Sequence, residues 1–340
     1  MGVELCLLIL WINNLDIGVE MKILFAAPEN AWGGFLHMIR GRLPQHEFVA
    51  TGRFHIESLE GFDVLIPTMT RVDGKILETA TSLKLIQQCG AGLEMVDIDE
   101  AAKRGIMVAN VPTDKCGNAD SVAELAIYMM IGLSRNVKAM ADALRERRMG
   151  EPQGKALLGR TVGIIGLGGI GRALVRRLRP FGVHLIGIRR NPDKSTKEEL
   201  GLEWIGGPNE LKELLQRSDY VILCLPVTKE TINMMNRESF SWMKQGAFLI
   251  NVSRGGLVHR EALEEALATG KIAGAGLDVF WEEPPDPDDS IFSYNVIATP
   301  HVGGSTDVSM QGIVKVVAEN IERLDKGEKP LYVRIPQSPS

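Results

Sequence analysis

A glycine-rich turn between an apolar stretch and a helical pattern limits what this chain can fold into more than any other feature. The turn has the pattern G-x-G-x-x-G and consists of Gly166, Leu167, Gly168, Gly169, Ile170 and Gly171. It comes after Thr161–Ile165, an apolar run with the length of a buried strand, and Leu174 and Leu178 come after it at helical spacing. A strand, a tight glycine turn and a helix in this order open a dinucleotide-binding fold, because the free N–H groups at the helix N-terminus bind a pyrophosphate. The sequence therefore predicts a dinucleotide site at this turn.

The next predicted strand, His184–Ile188, indicates which dinucleotide is preferred. About twenty residues after the first glycine, NAD sites carry an Asp or Glu that hydrogen-bonds the ribose 2′-hydroxyl. Here that place holds Arg189, and Arg190 comes next. A guanidinium offers charge-assisted hydrogen bonds to a 2′-phosphate. We therefore expect NADP(H) to be preferred, with NAD(H) as the alternative if both arginines only face solvent.

Composition and charge exclude several classes of protein. With 340 residues, 45% of them hydrophobic, the chain is globular and long enough for two domains. Its formal charge of −5 is spread over both signs, so we expect no nucleic-acid partner. The first apolar stretch, residues 5–12, is too short to span a bilayer, and no membrane association is expected. The four cysteines are scattered without a C-x-x-C pair, which favours a reduced, cytoplasmic protein with no metal site.

Predicted strands and helices alternate along most of the chain, which indicates an α/β fold with parallel sheets. Four short strands are predicted before the glycine turn, at residues 23–27, 63–66, 83–86 and 106–109. Beyond the strand at His184–Ile188, further strands are predicted at residues 220–225, 247–251, 273–278 and 296–298. We therefore expect two Rossmann-like, doubly wound parallel sheets, one of them built on Thr161–Ile165.

Other local patterns predict where elements begin and where the folded chain ends. Asp97 and Glu100 have capping-box spacing before a short helix, and Ser121 and Glu124 have it before a long one. Residues 1–20 differ in composition from the rest of the chain, and Met21 opens the first strand, so we expect residues 1–20 to be a non-native extension of the reading frame. Residues 333–340, rich in Pro and Ser, predict a frayed tail.

Three polar stretches come directly after predicted strands of the nucleotide-binding unit and could carry chemistry. They contain Arg254, the pair Glu282 and Glu283, and His301. A guanidinium can hold and polarise an anionic 2-oxo acid. A histidine can deliver a proton to the carbonyl oxygen as hydride arrives, and a carboxylate beside the imidazole favours its charged form. Together these groups are typical of hydride transfer between a nicotinamide and a 2-hydroxy acid.

The motifs around these residues resemble those of the D-isomer-specific 2-hydroxyacid dehydrogenase family, which includes glyoxylate and hydroxypyruvate reductases and phosphoglycerate dehydrogenases. They are Asn-Val-Ser-Arg-Gly-Gly at 251–256, Asp-Val-Phe-x-x-Glu-Pro at 278–284 and Thr-Pro-His-x-Gly-Gly at 299–304, together with the glycine turn. The resemblance covers residues 21 to about 330. It implies that Arg254 binds the substrate, that Glu283 rather than Glu282 pairs with the histidine, and that His301 is the acid/base.

The resemblance also implies further site residues and a domain organisation. Ala91 and Gly92 would bind the substrate carboxylate through backbone N–H groups, and Asp278 would lie near the nicotinamide carboxamide. The remaining cofactor contacts are expected at strand ends, from Cys224, Pro226, Val252, Ser253 and Gly303. A discontinuous, flavodoxin-like substrate domain (21–116 and 301–332) would enclose a dinucleotide domain (117–300), and the protein would be a homodimer.

These observations favour an NADP-preferring reductase of a small 2-oxo acid such as glyoxylate or hydroxypyruvate. The first alternative is an NAD-dependent D-3-phosphoglycerate dehydrogenase, but Pro67 stands where those enzymes carry an arginine, although Arg71 could compensate. The second alternative, of a different class, is a dinucleotide-sensing, corepressor-like binding protein. Neither a basic localisation run nor a long interaction tail supports it.

Overall fold

The computed structural model describes residues 20–335. Its strands are β1 (Lys22–Phe25), β2 (Glu47–Ala50), β3 (Val64–Ile66), β4 (Leu85–Gln87), β5 (Met107–Ala109), β6 (Thr161–Ile165), β7 (His184–Ile188), β8 (Trp204–Gly206), β9 (Tyr220–Leu223), β10 (Ala247–Asn251), β11 (Ile272–Leu277), β12 (Val296–Ala298) and β13 (Val333–Arg334). Its α-helices are α1 (Ala31–Arg42), α2 (Gly74–Leu77), α3 (Ile98–Lys103), α4 (Asn118–Arg135), α5 (Val137–Arg145), α6 (Gly169–Leu178), α7 (Lys194–Leu200), α8 (Leu211–Arg217), α9 (Arg237–Trp242), α10 (Arg260–Ala268) and α11 (Asp307–Asp325).

The chain forms two compact units. The first comprises the described parts of Met1–Pro112 and Ile313–Ser340, and the second is Thr113–Gly312. The second division falls inside α11, so His301 lies in the second unit and not in the first, where the expected boundary at residue 301 had assigned it. The expected non-native extension, residues 1–20, lies outside the described residues except for Glu20.

The first unit is built on a six-stranded sheet with the order β13-β5-β4-β3-β1-β2. All its strands are parallel except β13, which pairs antiparallel with β5. Leu65 and Ile86, from the middle of this sheet, are fully buried, as expected for parallel strands covered on both faces. The carboxyl ends of β1, β3, β4 and β5 therefore lie along one edge, where such sheets place their ligands.

The second unit is built on a seven-stranded parallel sheet with the order β12-β11-β10-β9-β6-β7-β8. Strand β6 lies between β7 and β9, and the strand order reverses at this point. Val162 and Ile164 of β6 are completely buried, which explains why an apolar run marked this strand so clearly. Ligands of open α/β sheets bind at the carboxyl ends of the strands beside such a reversal. Both parallel α/β units predicted from the sequence are present.

The structure corrects several local predictions. The predicted cap at Ser121 and Glu124 is wrong, because α4 begins one turn earlier, after Gly117 in the left-handed region, and Ser121 donates its hydroxyl to the Gly117 carbonyl at 3.0 Å. The predicted cap at Asp97 is confirmed: its carboxylate accepts the Glu100 N–H at 2.9 Å. Strands β2 and β8 were not predicted. The frayed tail was expected from residue 333, but residues 333 and 334 form β13.

Candidate active site

The glycine turn links β6 to α6 in the second unit. Gly166 has a φ of 101°, in the left-handed region that favours glycine. A side chain at Gly171 would clash with the Gly166 carbonyl oxygen, so the first turn of α6 can lie against the end of β6 only with glycine there. At Gly168 a Cβ would meet no atom within 4 Å. The turn thus leaves open space beside the N-terminus of α6, where the N–H groups of the first turn can bind a diphosphate.

Arg189 comes directly after β7 and is held by its own neighbourhood. Its guanidinium donates to the Asp193 carboxylate at 2.8 Å and also to the Thr196 hydroxyl. Asp193 caps α7 by accepting the Thr196 N–H at 2.7 Å. Hydrogen bonds from the Thr196 backbone and hydroxyl lower the pKa of Asp193, so this carboxylate remains charged beside the arginine. Arg190 is exposed. A 2′-phosphate at this strand end would meet both a guanidinium and a carboxylate.

The other expected cofactor residues lie at the ends of β9 and β10. The Cys224 N–H donates to Ile165 at the end of β6, and burial raises the pKa of its thiol. Pro226 comes two residues later. Val252 and Ser253 are buried, and the Ser253 hydroxyl donates to the Leu225 carbonyl. These contacts join the carboxyl ends of β6, β9 and β10, the edge at which open α/β sheets bind their ligands.

Arg254, Glu283 and His301 come after three strands that are neighbours in the sheet, β10, β11 and β12. His301 Nδ1 lies 2.7 Å from Glu283 Oε2. The other carboxylate oxygen of Glu283 accepts the Phe280 N–H at 3.0 Å. Glu282, its neighbour in sequence, is exposed. The structure thus pairs the histidine with the glutamate that the family pattern selects.

The contacts of the Glu283 carboxyl group determine its charge. Burial by itself would raise the pKa of Glu283, but the hydrogen bond and the charge of His301, with smaller contributions from the Phe280 N–H and the charge of Arg254, lower it below its usual value. The carboxylate is therefore ionised at neutral pH and favours a positively charged imidazole. Arg254, which is partly exposed and donates to the Ser253 carbonyl at 2.7 Å, adds a cation to the same region.

Asp278 organises the loop that carries His301. Its buried carboxylate accepts the Thr299 hydroxyl at 2.6 Å, the Val302 N–H at 2.9 Å and the Gly303 N–H at 2.8 Å. Its carbonyl accepts the His301 N–H at 2.9 Å. His301 has a φ of 53°, in the left-handed region that non-glycine residues rarely occupy. Asp278 thus stabilises a strained backbone at the histidine, a role that the sequence did not predict.

The structural role of Asn251 was also not predicted, although its position in the sequence indicates it. Its side chain accepts the Ser253 N–H at 3.1 Å and donates to the Arg254 carbonyl at 2.8 Å, which forms the turn that presents Arg254. An asparagine directly after an apolar strand is typical of such an Asx turn. This pattern alone could have predicted the turn, without any likeness to a family motif.

In the first unit, Ala91 and Gly92 belong to the loop after β4. The Gly90 carbonyl accepts the Val111 N–H at 3.0 Å, and the Ala91 carbonyl accepts the Asn110 side-chain N–H at 2.6 Å. Cys89 opens the loop, and burial raises the pKa of its thiol to about 12, so the thiol is neutral. The loop therefore offers backbone groups rather than a thiolate.

Metal sites and membrane spans are both absent from the described part of the chain. Within residues 20–335, no three His, Cys, Asp or Glu side chains are grouped so that they could hold a metal ion. The helices of this same part of the chain include none with the length and apolarity needed to cross a membrane.

Comparison with known proteins identifies the family. Residues 127–303, more than half of the chain, match the family described as D-isomer specific 2-hydroxyacid dehydrogenase, NAD binding domain. The chain belongs to this family. The match confirms the family expected from the motifs, and with it the enzyme class, an oxidoreductase acting on CH–OH groups.

The relatives of this chain are named for different activities. A D-3-phosphoglycerate dehydrogenase of Methanocaldococcus jannaschii is 37% identical over 286 residues, covering 82% of this chain and 53% of that protein, so the chain spans about half the length of this relative. A glyoxylate reductase of Thermococcus litoralis is 36% identical over 285 residues, covering 81% of this chain and 84% of that protein. An NADPH-dependent glyoxylate/hydroxypyruvate reductase of Sinorhizobium meliloti, solved with NADP and malonate, has a TM-score of 0.79 at 29% identity, covering 93% and 97% of the two chains.

Proposed function

We propose that this protein is an NADP-preferring reductase of a small, unphosphorylated 2-oxo acid such as glyoxylate or hydroxypyruvate. The observation that carries the proposal is the pairing of His301 Nδ1 with Glu283 Oε2 at 2.7 Å in the unit that holds the glycine turn. Relatives named glyoxylate reductase support the substrate class.

The proposed reaction adds a hydride and a proton to the carbonyl of a 2-oxo acid and yields the 2-hydroxy acid. A bound reduced nicotinamide supplies the hydride. Arg254 binds the carboxylate and polarises the carbonyl group, because a planar guanidinium can donate to both. His301, charged and oriented by Glu283, donates the proton to the carbonyl oxygen; in the reverse direction it removes the proton from the hydroxyl. In the first unit, the N–H groups of Ala91 and Gly92 bind the carboxylate.

The preference for NADP(H) rests on Arg189 and Arg190 at the end of β7. Neither residue could accept a hydrogen bond from a ribose hydroxyl as an acid would, whereas a guanidinium suits a phosphate. The open face at Gly168 and the N-terminus of α6 fit the diphosphate of either cofactor. Leu167, Gly169 and Ile170 line the same turn. Asp278 and Gly303 are proposed to face the nicotinamide.

The second candidate function is that of an NAD-dependent D-3-phosphoglycerate dehydrogenase. The 37% identity to an enzyme of that name favours it. Against it, Pro67 supplies no cation, and Arg71, the residue that could compensate, forms an ion pair with Asp73 at 3.6 Å.

Initial rates of NADPH and NADH oxidation with four acids test the proposal: glyoxylate, hydroxypyruvate, pyruvate and phosphohydroxypyruvate. We expect turnover with NADPH and an unphosphorylated acid. Turnover confined to NADH and phosphohydroxypyruvate would replace the proposal by the second candidate. Cofactor binding without turnover of any acid would point instead to the corepressor-like function.

We also propose that the protein acts in the cytoplasm as a homodimer. Apolar side chains are exposed along the consecutive helices α4 and α5, with Tyr128, Ile131, Met140 and Leu144 the clearest, and Leu144 is 75% exposed. Exposed apolar patches of this kind mark interaction surfaces. Light scattering after size exclusion should give the mass of two chains, and Leu144→Glu should shift it towards one. A monomeric wild-type protein would contradict the proposal.

A further inference from the structure

The peptide groups of the loop Cys89–Gly92 are oriented in one direction. The carbonyls of Gly90 and Ala91 are both occupied by the segment after β5, through the Val111 N–H and the Asn110 side chain. By contrast, the N–H groups of Ala91 and Gly92 have no acceptor among residues 20–335. Two consecutive N–H groups without acceptors are available to bind an anion. The contacts on the carbonyl side therefore decide whether the N–H side is available.

Asn110 supplies the shorter of these two contacts. The residue is 2% exposed, and its amide nitrogen donates to the Ala91 carbonyl at 2.6 Å. Its amide oxygen accepts from Nε of Arg334 at 3.2 Å. An asparagine amide can turn over and exchange its oxygen and nitrogen. Because Arg334 can only donate, it fixes the oxygen on its own side and leaves the nitrogen facing Ala91.

Arg334 reaches this position through the last strand. In β13 it lies opposite Val108 of β5, two residues before Asn110. The start of the loop is held independently, since the Gln88 side chain accepts the Cys89 N–H at 2.9 Å and donates to the Thr68 carbonyl at 2.8 Å. A change at Asn110 should therefore release the Ala91–Gly92 peptide without freeing the whole loop.

We propose that Asn110 is a positioning residue that keeps the N–H group of Gly92 open to the substrate carboxylate, beside that of Ala91, and that Arg334 holds Asn110 in the required orientation. The inference rests on the proposed function for the identity of the anion. With the amide reversed or removed, the Ala91 carbonyl loses its donor and the peptide can rotate, which turns a carbonyl oxygen towards the anion. The loss therefore falls on carboxylate binding and not on the proposed proton donor, His301.

The test compares Asn110→Ala, Arg334→Met and their double variant with wild type. We expect KM for the accepted 2-oxo acid to rise about tenfold in Asn110→Ala, the effect of one net hydrogen bond, while kcat changes less than about twofold. NADPH affinity should be unchanged. Arg334→Met should raise KM by a smaller factor, and the double variant should not exceed Asn110→Ala, because Arg334 acts through Asn110.

A matched control and a binding probe keep the result interpretable. Arg323→Met removes another arginine near the C-terminus, whose Nε donates to the Lys329 carbonyl at 2.8 Å and does not contact the loop; its KM should equal that of wild type. Oxalate affinity in the presence of NADPH, measured by calorimetry, gives a readout without turnover. If Asn110→Ala does not fold, Arg334→Met carries the test, since Arg334 is exposed.

The outcomes separate the two proposals. Weaker oxalate binding in the variants supports the inference, even where wild type reduces no 2-oxo acid and the proposed function fails. Unchanged KM and oxalate affinity in both single variants, in an enzyme that does reduce 2-oxo acids, would overturn the inference alone. Absence of both turnover and oxalate binding in wild type would overturn both.

Discussion

Glu283→Gln tests the link between the charge of the carboxylate and proton transfer. The substitution keeps the shape of the side chain but removes the negative charge 2.7 Å from His301 Nδ1. The interaction that lowers the pKa of Glu283 favours the imidazolium by the same free energy, because such coupling is reciprocal. A hydrogen bond between charged groups contributes about 1.5–3 kcal/mol. Since 34% of the His301 side chain is exposed, solvent screening favours the lower end of this range.

Whether the variant loses more activity at high or at low pH depends on the direction of the reaction that is measured. Reduction of a 2-oxo acid needs the protonated imidazole, which the carboxylate stabilises. Without it, the imidazolium loses its anionic partner, so reduction by the variant should be impaired most at alkaline pH, where a proton donor is scarcest. From the lower end of the range of about 1.5–3 kcal/mol, kcat/KM for reduction should fall about tenfold at alkaline pH, and the variant and wild type should differ much less at acidic pH.

The assay is kcat/KM for NADPH-dependent reduction between about pH 5 and 9, with NADPH affinity measured separately by fluorescence. Glu282→Gln is the matched control, because Glu282 is exposed and Glu283, its neighbour, is the glutamate that contacts His301. We expect the control to show the wild-type profile. A Glu283→Gln profile that coincides with wild type over the whole range would refute the reasoning, as would an equal shift in the control.

Further predictions address the proton donor, the ribose end of the cofactor site and the stability of the fold in acid. His301→Ala should reduce turnover by about 10² to 10⁴ while NADPH affinity changes little; near-normal turnover would remove His301 from the mechanism. Arg189→Ala should weaken NADPH binding and leave NADH binding almost unchanged, and Asp193→Asn, which keeps the helix cap, should strengthen NADPH binding by removing the nearby negative charge; equal effects on both cofactors would contradict the 2′-phosphate contact. The pKa of Glu283 is lowered in the folded protein, so its carboxylate contributes stability above the unfolded value of 4.5 that is lost as pH falls through the folded value. Below pH 4.5, the free energy of unfolding of Glu283→Gln should therefore fall less steeply with decreasing pH than that of wild type.

The strands predicted most accurately are those that the chain buries on both faces. Thr161–Ile165, His184–Ile188 and Ala247–Asn251 have the bounds expected from the sequence. Glu47–Ala50 and Trp204–Gly206 were missed because they lie at the outer ends of the two sheets and are only partly buried, so they lack a continuous apolar run. Sequence patterns thus indicate burial and not the place of a strand in the sheet, since Val296–Ala298, also at the end of a sheet but with two buried residues, was predicted with its observed bounds.

The residues proposed for the active site could be named from the sequence because their residue types and strand-end positions can both be seen there. Their supports could not be found in this way. Asp278 binds a loop more than twenty residues away, and Asn110 binds Ala91 across two strands, so neither contact has a local spacing. The error at Ser121 has a similar origin. Its spacing to Glu124 suits a cap, but the left-handed backbone of Gly117 decides where the helix begins.

Two carboxylates support His301: Glu283 contacts its ring, and Asp278 holds its loop. Glu283 accepts from the Phe280 N–H with one oxygen and contacts His301 with the other, and the loop backbone is held by Asp278 instead. A non-glycine residue in the left-handed region costs about 1–3 kcal/mol. Asp278 offsets this with three hydrogen bonds to the loop, one of them from the Gly303 N–H. The ion-pair partner of the imidazole and the anchor of its loop are thus different acids. A substitution at Asp278 should therefore lower kcat without moving the pH profile that Glu283 controls.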